Sequence, residues 1–242
     1  RGMFNNRFAM PTRTNGQHSN HLYPNDLFPF TYGESTDPFT GRTDSIFGKA
    51  RGSNTVPKVM HIQTSNEYWV RGGSLPHTNP QGTEDALLPE EVRFYSIGGS
   101  QHSSRDGQPR AATYGQLPHN PNMWAPIANS LLVAMYDWVA NDEAPPASRH
   151  PQIADGSLVP AHIDGRINSR AWNILSGVTH PYAVYMPGFA NYGDRWITDR
   201  IIDIHPLTTD MYYRTLVPAV NSNNNEVHVH TNTTNATTNG AR

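Results

Sequence analysis

Two short runs stand out of an otherwise polar chain. Val56-Pro57-Lys58-Val59-Met60-His61-Ile62-Gln63 is strand-like and ends at the polar cluster Thr64-Ser65-Asn66. Glu91-Val92-Arg93-Phe94-Tyr95-Ser96-Ile97 alternates in the same way and stops at Gly98-Gly99. Residues 70–90 between them carry Gly72-Gly73 and several prolines, which predicts a surface connection with room for a short helix. A helical period appears clearly once. Ile127, Leu131, Ala134, Met135, Trp138 and Val139 recur at three- and four-residue steps and predict a helix over 127–139. Pro126 suits its first turn, and Ala144-Pro145-Pro146 stops it. Tyr182-Ala183-Val184-Tyr185 and Tyr212 to Val217, around Ile201-Ile202-Asp203-Ile204, predict short β pieces.

These patterns divide the chain into four stretches. Residues 1–57 read as a loop-rich, cap-like insertion, because Asn, Pro, Thr and Gly are interleaved with aromatic pairs such as Phe28-Pro29-Phe30. Residues 58–165 carry the core strands and the helix, and 166–220 an appended β-rich extension. In 221–242, seven Asn and five Thr occur with no hydrophobic period, which predicts a disordered polar tail. Its sequons at Asn232 and Asn235 follow from that composition.

Composition refines the picture. Leu, Ile, Val and Phe make only 45 of the 242 residues, yet the net charge is just −2, so the chain is not the highly charged kind that stays unfolded. The 24 aromatic residues supply the missing burial. With 18 basic against 20 acidic residues, nucleic acid is not an expected partner. No apolar run is long enough to predict a membrane-spanning helix. Zero cysteines excludes disulfides, thiolate metal sites and a Cys nucleophile. Arg1-Gly2-Met3 resembles neither an initiation site nor a leader, so the chain reads as beginning partway through something longer. Compartment and oligomeric state are left open.

The chemistry is expected at the ends of the two strands, where α/β sheets bind ligands. Glu67 follows the first strand by four residues and His102 follows the second by five. An acid and then a His, each after its own strand, is the order of the last two members of a Ser…Asp/Glu…His triad. The carboxylate would hold the imidazole in one tautomer and the imidazole would accept a serine proton. The plainer reading is a solvated Glu and one structural His among twelve. His18 with His21, and His228 with His230, have metal-ligand spacing but lack a third ligand, so no metal site is assigned. Trp124, Tyr136 and Trp138 read as core rather than as a substrate platform.

Several blocks carry a resemblance. They are Val59 to Trp69, Ser74-Leu75-Pro76-His77-Thr78-Asn79-Pro80-Gln81-Gly82, Val92-Arg93-Phe94-Tyr95 and Gly99-Ser100-Gln101-His102. The opening Arg1 to Pro11, Tyr23 to Phe30, Ala144 to Arg149 and Leu216 to Val220 add to it. Together they resemble the alpha/beta hydrolase domain-containing proteins over about residues 1–220. The resemblance implies an α/β fold, specifically the C-terminal part of an α/β-hydrolase fold: a mostly parallel sheet flanked by helices, with a loop-rich insertion and a small β-rich extension. It implies hydrolysis of an ester or similar acyl bond in a small molecule without a cofactor, with Glu67 and His102 as triad acid and base. The chain departs from the family in one respect that matters. No G-x-S-x-G occurs in its 242 residues, so the nucleophile and oxyanion hole are expected upstream and this chain alone is expected to be inactive. A non-catalytic binding or structural domain with the same fold is the alternative, and a metal-dependent hydrolase built on the many histidines is a third reading.

Overall fold

The computed structural model describes residues 28–113, 115–189, 191–199, 201, 203, 211–222 and 226–227. In chain order the elements begin with β1 (Ser35–Thr36), β2 (Thr43–Asp44) and α1 (Gly48–Gly52). Next come β3 (Val59–Thr64), α2 (Ser65–Val70), β4 (Val92–Ile97) and the long α3 (Ala125–Asn141). The remainder are β5 (Leu158–Val159), β6 (His162–Ile163), β7 (Arg166–Ile167), α4 (Arg195–Asp199) and β8 (Val217–Pro218). The chain forms two compact units that interleave in sequence, one of 1–57, 70–90 and 185–215, the other of 58–69, 91–184 and 216–242.

The second unit is built on β3 and β4, which pair in parallel from Val59↔Val92 to Thr64↔Ile97. A parallel pair requires a long crossover, and the stretch between the two runs supplies it. The far edge of β4 is taken by a parallel bridge between Tyr95 and Arg149, with Ser96 N–H donating to Arg149 O and Arg149 N–H to Phe94 O, each at 2.8 Å. β4 therefore sits inside the sheet, and Val92, Phe94, Tyr95 and Ile97 are buried. Its neighbour carries polar groups on its buried positions, His61, Gln63 and Thr64. The His61 ring stacks on Phe94 with centroids 4.2 Å apart.

Helix α3 runs two residues further at each end than its apolar stripe predicts. Only Trp138 is buried, under the flanking cations of Lys58 and Arg93, whose charges lie 5.5 and 5.1 Å from its ring. Lys58 Nζ also donates to Trp138 O and to Asp142 Oδ1, satisfying a last-turn carbonyl that has no partner within the helix. Ile127 and Val139, two members of the predicted stripe, are exposed instead, as is Tyr136. The reading of Tyr136 as core is thus corrected: it lies on the face turned away from Trp138.

A small cluster closes this unit. Tyr68, Leu158, Val159, Ala161, Ala171, Leu216, Val217 and Ala219 pack with Trp69, Ile153 and Val184. β5 and β8 pair antiparallel within it. Tyr182 to Tyr185 forms no strand, whereas the Tyr212–Val217 run contributes a bridge at Tyr212 and the first residue of β8. Two residues of the expected tail also pair here. Glu226 bridges Val220, and Val227 N–H donates to Ala219 O at 2.7 Å. The rest of the tail, 223–225 and 228–242, lies outside the described residues with His228, His230 and the sequons.

The first unit owes its cohesion to aromatics. Phe30, Leu75 and Tyr213 are buried together, with Phe28, Phe39 and Phe189 against them. Phe30 and Phe39 meet the Tyr213 ring edge-on, at 4.7 and 5.1 Å. The Tyr213 hydroxyl donates to Asp37 at 3.2 Å, and burial beside that carboxylate pushes its pKa up. Asp37 in turn accepts from Phe39 N–H and Thr40 Oγ1, shaping the turn between β1 and β2. The short helix foreseen between the two core strands is a 3-10 turn, Leu75–His77, with all three residues buried. His18, His21 and the rest of residues 1–27 lie outside the described residues.

Candidate functional site

The chain turns directly from strand to helix after Thr64. Glu67 is therefore helical, not part of a loop as the polar cluster suggests. Thr64 holds the position just before the helix and Glu67 its third residue, the Thr-x-x-Glu spacing of a capping box. Glu67 Oε2 accepts from both Thr64 N–H, at 2.8 Å, and Thr64 Oγ1, at 2.5 Å. One carboxylate oxygen is thus occupied by the helix start, and its orientation is fixed.

The other oxygen faces His102. Glu67 Oε1 lies 2.5 Å from His102 Nδ1, across the ends of adjacent parallel strands. A carboxylate oxygen accepts, so Nδ1 is the ring nitrogen that donates to it, and Nε2 lies on the far side of the ring. Exposure differs sharply between the partners: 16% for the Glu67 side chain and 75% for His102. The carboxylate is shielded and the imidazole is open to solvent.

The His102 loop is tied down by its own residues. Gly99 has φ +62, which aims the turn away from β4 at no side-chain penalty. Asn120 Nδ2 donates to Gly99 O at 2.6 Å and Asn122 Nδ2 to Ser100 Oγ at 2.7 Å. Trp124 Nε1 donates to Gln101 O at 3.1 Å, while Ser104 Oγ accepts from Trp124 and Ala125 N–H at the start of α3. Trp124 thereby serves the loop and is only partly buried. Ser65 Oγ accepts from Ser100 N–H at 3.2 Å, and Ser100 Oγ donates to Gly98 O at 3.2 Å. Both serines beside the strand ends are engaged in holding the two loops.

A polar layer lies beneath the pair, and sequence reasoning missed it. Tyr68, Gln63 and His61 are buried there, with Gln63 and Ser96 the polar side chains beside the Tyr68 phenol and Gln63 the one beside His61. Burial pushes the Tyr68 phenol up and His61 down to about 4, so both stay neutral around pH 7. Glu226 belongs to the same layer. Burial raises its pKa to about 7, against the opposing influence of the Ser65 side chain and the Gly99 backbone. The alternation of β3 could have revealed Gln63 as inward-facing; nothing in an Asn/Thr-rich segment marks Glu226.

Among the described residues no group of three or more His, Asp and Glu is arranged to hold a metal ion. No helix among them is long and apolar enough to cross a membrane. No curated protein and no solved structure gives a match. A family model described as alpha/beta hydrolase domain matches residues 17–196, well over half of the chain and including both strands, Glu67, His102 and α3. With that match on the strand-end geometry, the chain belongs to the alpha/beta hydrolase domain family.

Proposed function

We propose that this chain supplies the acid and the base of a Ser-His-Glu hydrolytic site acting on an ester or similar acyl bond. The observation that carries the reading is the 2.5 Å contact of Glu67 Oε1 with His102 Nδ1 at the ends of two parallel strands. β3, β4 and α3 then represent the C-terminal part of an α/β-hydrolase core. Glu67 orients the imidazole and stabilises its protonated form. His102 Nε2 accepts the proton of a serine as that serine attacks the acyl carbon, and afterwards delivers it to the leaving group. Because no G-x-S-x-G occurs in the 242 residues, the serine and the oxyanion donors come from sequence outside them.

The test supplies that missing part. The 242-residue chain should not hydrolyse aryl esters above a control protein matched for histidine content. Joined to or complemented by a segment bearing the elbow, it should turn over, and His102→Ala should remove nearly all of the activity. Turnover that survives His102→Ala would refute the assignment. Robust turnover by the chain alone would place the nucleophile among its own serines, with Ser65 and Ser100 the first to replace.

A further inference from the structure

The His102 side chain is 75% exposed, so packing does little to hold it and its place depends on the backbone on either side. Gly98-Gly99 just before it leaves that backbone intrinsically free. Asn122, three residues ahead of α3, grips the same backbone on both sides of His102. Its carbonyl O accepts from Gln101 Nε2 at 2.9 Å, one residue before His102, and from Arg105 N–H at 3.1 Å, three residues after it. Its Nδ2 donates to Ser100 Oγ at 2.7 Å. Asn122 is itself held, since its N–H donates to Asn120 Oδ1 at 3.0 Å. Ser100 carries the grip inward. It is buried, and its hydroxyl donates to Gly98 O at 3.2 Å, so an oxygen lone pair is what the Asn122 amide meets. Ser100 N–H donates to Ser65 Oγ at 3.2 Å, and Ser65 is the first residue of α2, two before Glu67. The line Asn122–Ser100–Ser65 therefore runs from the approach to α3, past the root of His102, to the helix that carries Glu67.

We infer that Asn122 is a positioning residue: through Ser100 and Ser65 its side chain fixes the His102 loop against the helix bearing Glu67, and so sets where the imidazole meets the carboxylate. This rests on the proposed pairing of Glu67 with His102 as acid and base. Asn122 acts through Ser100 and not on the imidazole itself. Its carbonyl bonds to Gln101 and Arg105 belong to the backbone, so the side-chain amide can be removed without dismantling the loop.

The test uses the full 242-residue chain labelled with ¹⁵N, read at a pH where His102 is neutral. Imidazole ¹⁵N shifts report its tautomer, and exchange of the Ser100 and Arg105 amides reports the two sides of the grip. In the wild type His102 is expected as the Nδ1–H tautomer, and Glu67→Gln should abolish that preference. Asn122→Ala should weaken the same preference and speed Ser100 exchange about three- to tenfold, the worth of one hydrogen bond, while Arg105 exchange keeps its wild-type rate. Ser100→Ala should weaken the tautomer preference to the same degree, and the double variant should add nothing further, because both changes cut one line. If Glu67→Gln changes the tautomer while a folded Asn122→Ala leaves the tautomer and Ser100 exchange at wild-type values, Asn122 positions nothing and the pairing stands. Effects that add in full in the double variant would overturn the route through Ser100. If the wild type shows no preference and Glu67→Gln changes nothing, the pairing itself fails and the inference with it. A merely structural Asn122 would lower the melting temperature and leave the tautomer untouched, which also overturns the proposal. Should Asn122→Ala not fold, Asn122→Asp, of the same size but without the N–H donor, is read in its place.

Discussion

Thr64 and Glu67 hold each other: Thr64 N–H and Oγ1 both donate to Glu67 Oε2, so the helix cap and the orientation of the acid are one interaction. Thr64→Val should therefore act twice. It removes the hydroxyl while keeping the strand preference of the site, and should lower stability by about 1 kcal/mol, the usual worth of a helix cap. Urea unfolding of the isolated chain measures this. In the complemented protein the same variant should reduce turnover, because Glu67 loses one of its two Thr64 donors.

Glu67→Gln removes the acceptor that selects the Nδ1–H tautomer. In the complemented protein the loss expected is roughly 10⁴-fold in kcat, the scale seen when the acid of a Ser-His-Asp site becomes an amide. A change within about threefold of wild type would dismiss the triad assignment, since such a loss is the signature of a wrongly oriented base.

His61 and Glu226 should give opposite pH dependences of stability. Burial lowers His61 to about 4 from 6.5, so between those values the unfolded chain binds more protons. That contribution is complete above pH 6.5 and is lost as pH falls toward 4, up to about 3 kcal/mol. NMR titration of the His61 ring gives its midpoint directly.

Glu226 is raised to about 7 from 4.5, so here the folded chain binds more protons and stability falls as pH rises across that interval. Glu226→Gln should be more stable than wild type at pH 8 by as much as about 3 kcal/mol, and the advantage should vanish below pH 4.5. Denaturant melts at pH 4 and pH 8 compare the two proteins.

Trp138 anchors α3 through its one buried side chain, between Lys58 and Arg93. Trp138→Ala should destabilise by about 3–5 kcal/mol. Asp142→Asn, by contrast, breaks a mostly exposed ion pair with Lys58 and should change stability by under about 1 kcal/mol.

The core strands were legible because six-residue runs between turn residues carry enough alternation to be recognised; the offsets of Glu67 and His102 set both at strand ends, and the family resemblance raised them above a solvated Glu and a structural His. Helix α2 was not foreseen, although Thr64-Ser65-Asn66-Glu67 has capping-box spacing; its polar residues mimic a loop until Glu67 is seen reaching back. The stripe on α3 predicted the helix but not its buried face, because Ile127 and Val139 have no neighbours to cover them in this unit. Two-residue strands such as β5 and β8 are too short to show any period. Glu226 was invisible for a different reason: its partners are set by backbone pairing at Val220 and Ala219, which composition does not encode.

The register from Val59↔Val92 to Thr64↔Ile97 also works as a ruler. Each rung is worth about 3.3 Å along the strand, and a slip of one rung reverses which face every side chain meets. That step exceeds the whole 2.5 Å separation of Glu67 from His102. Glu67 and His102 are thus matched by counting residues, not by loop adjustment, and a single residue inserted within β3 would disconnect them even in a chain that still folds.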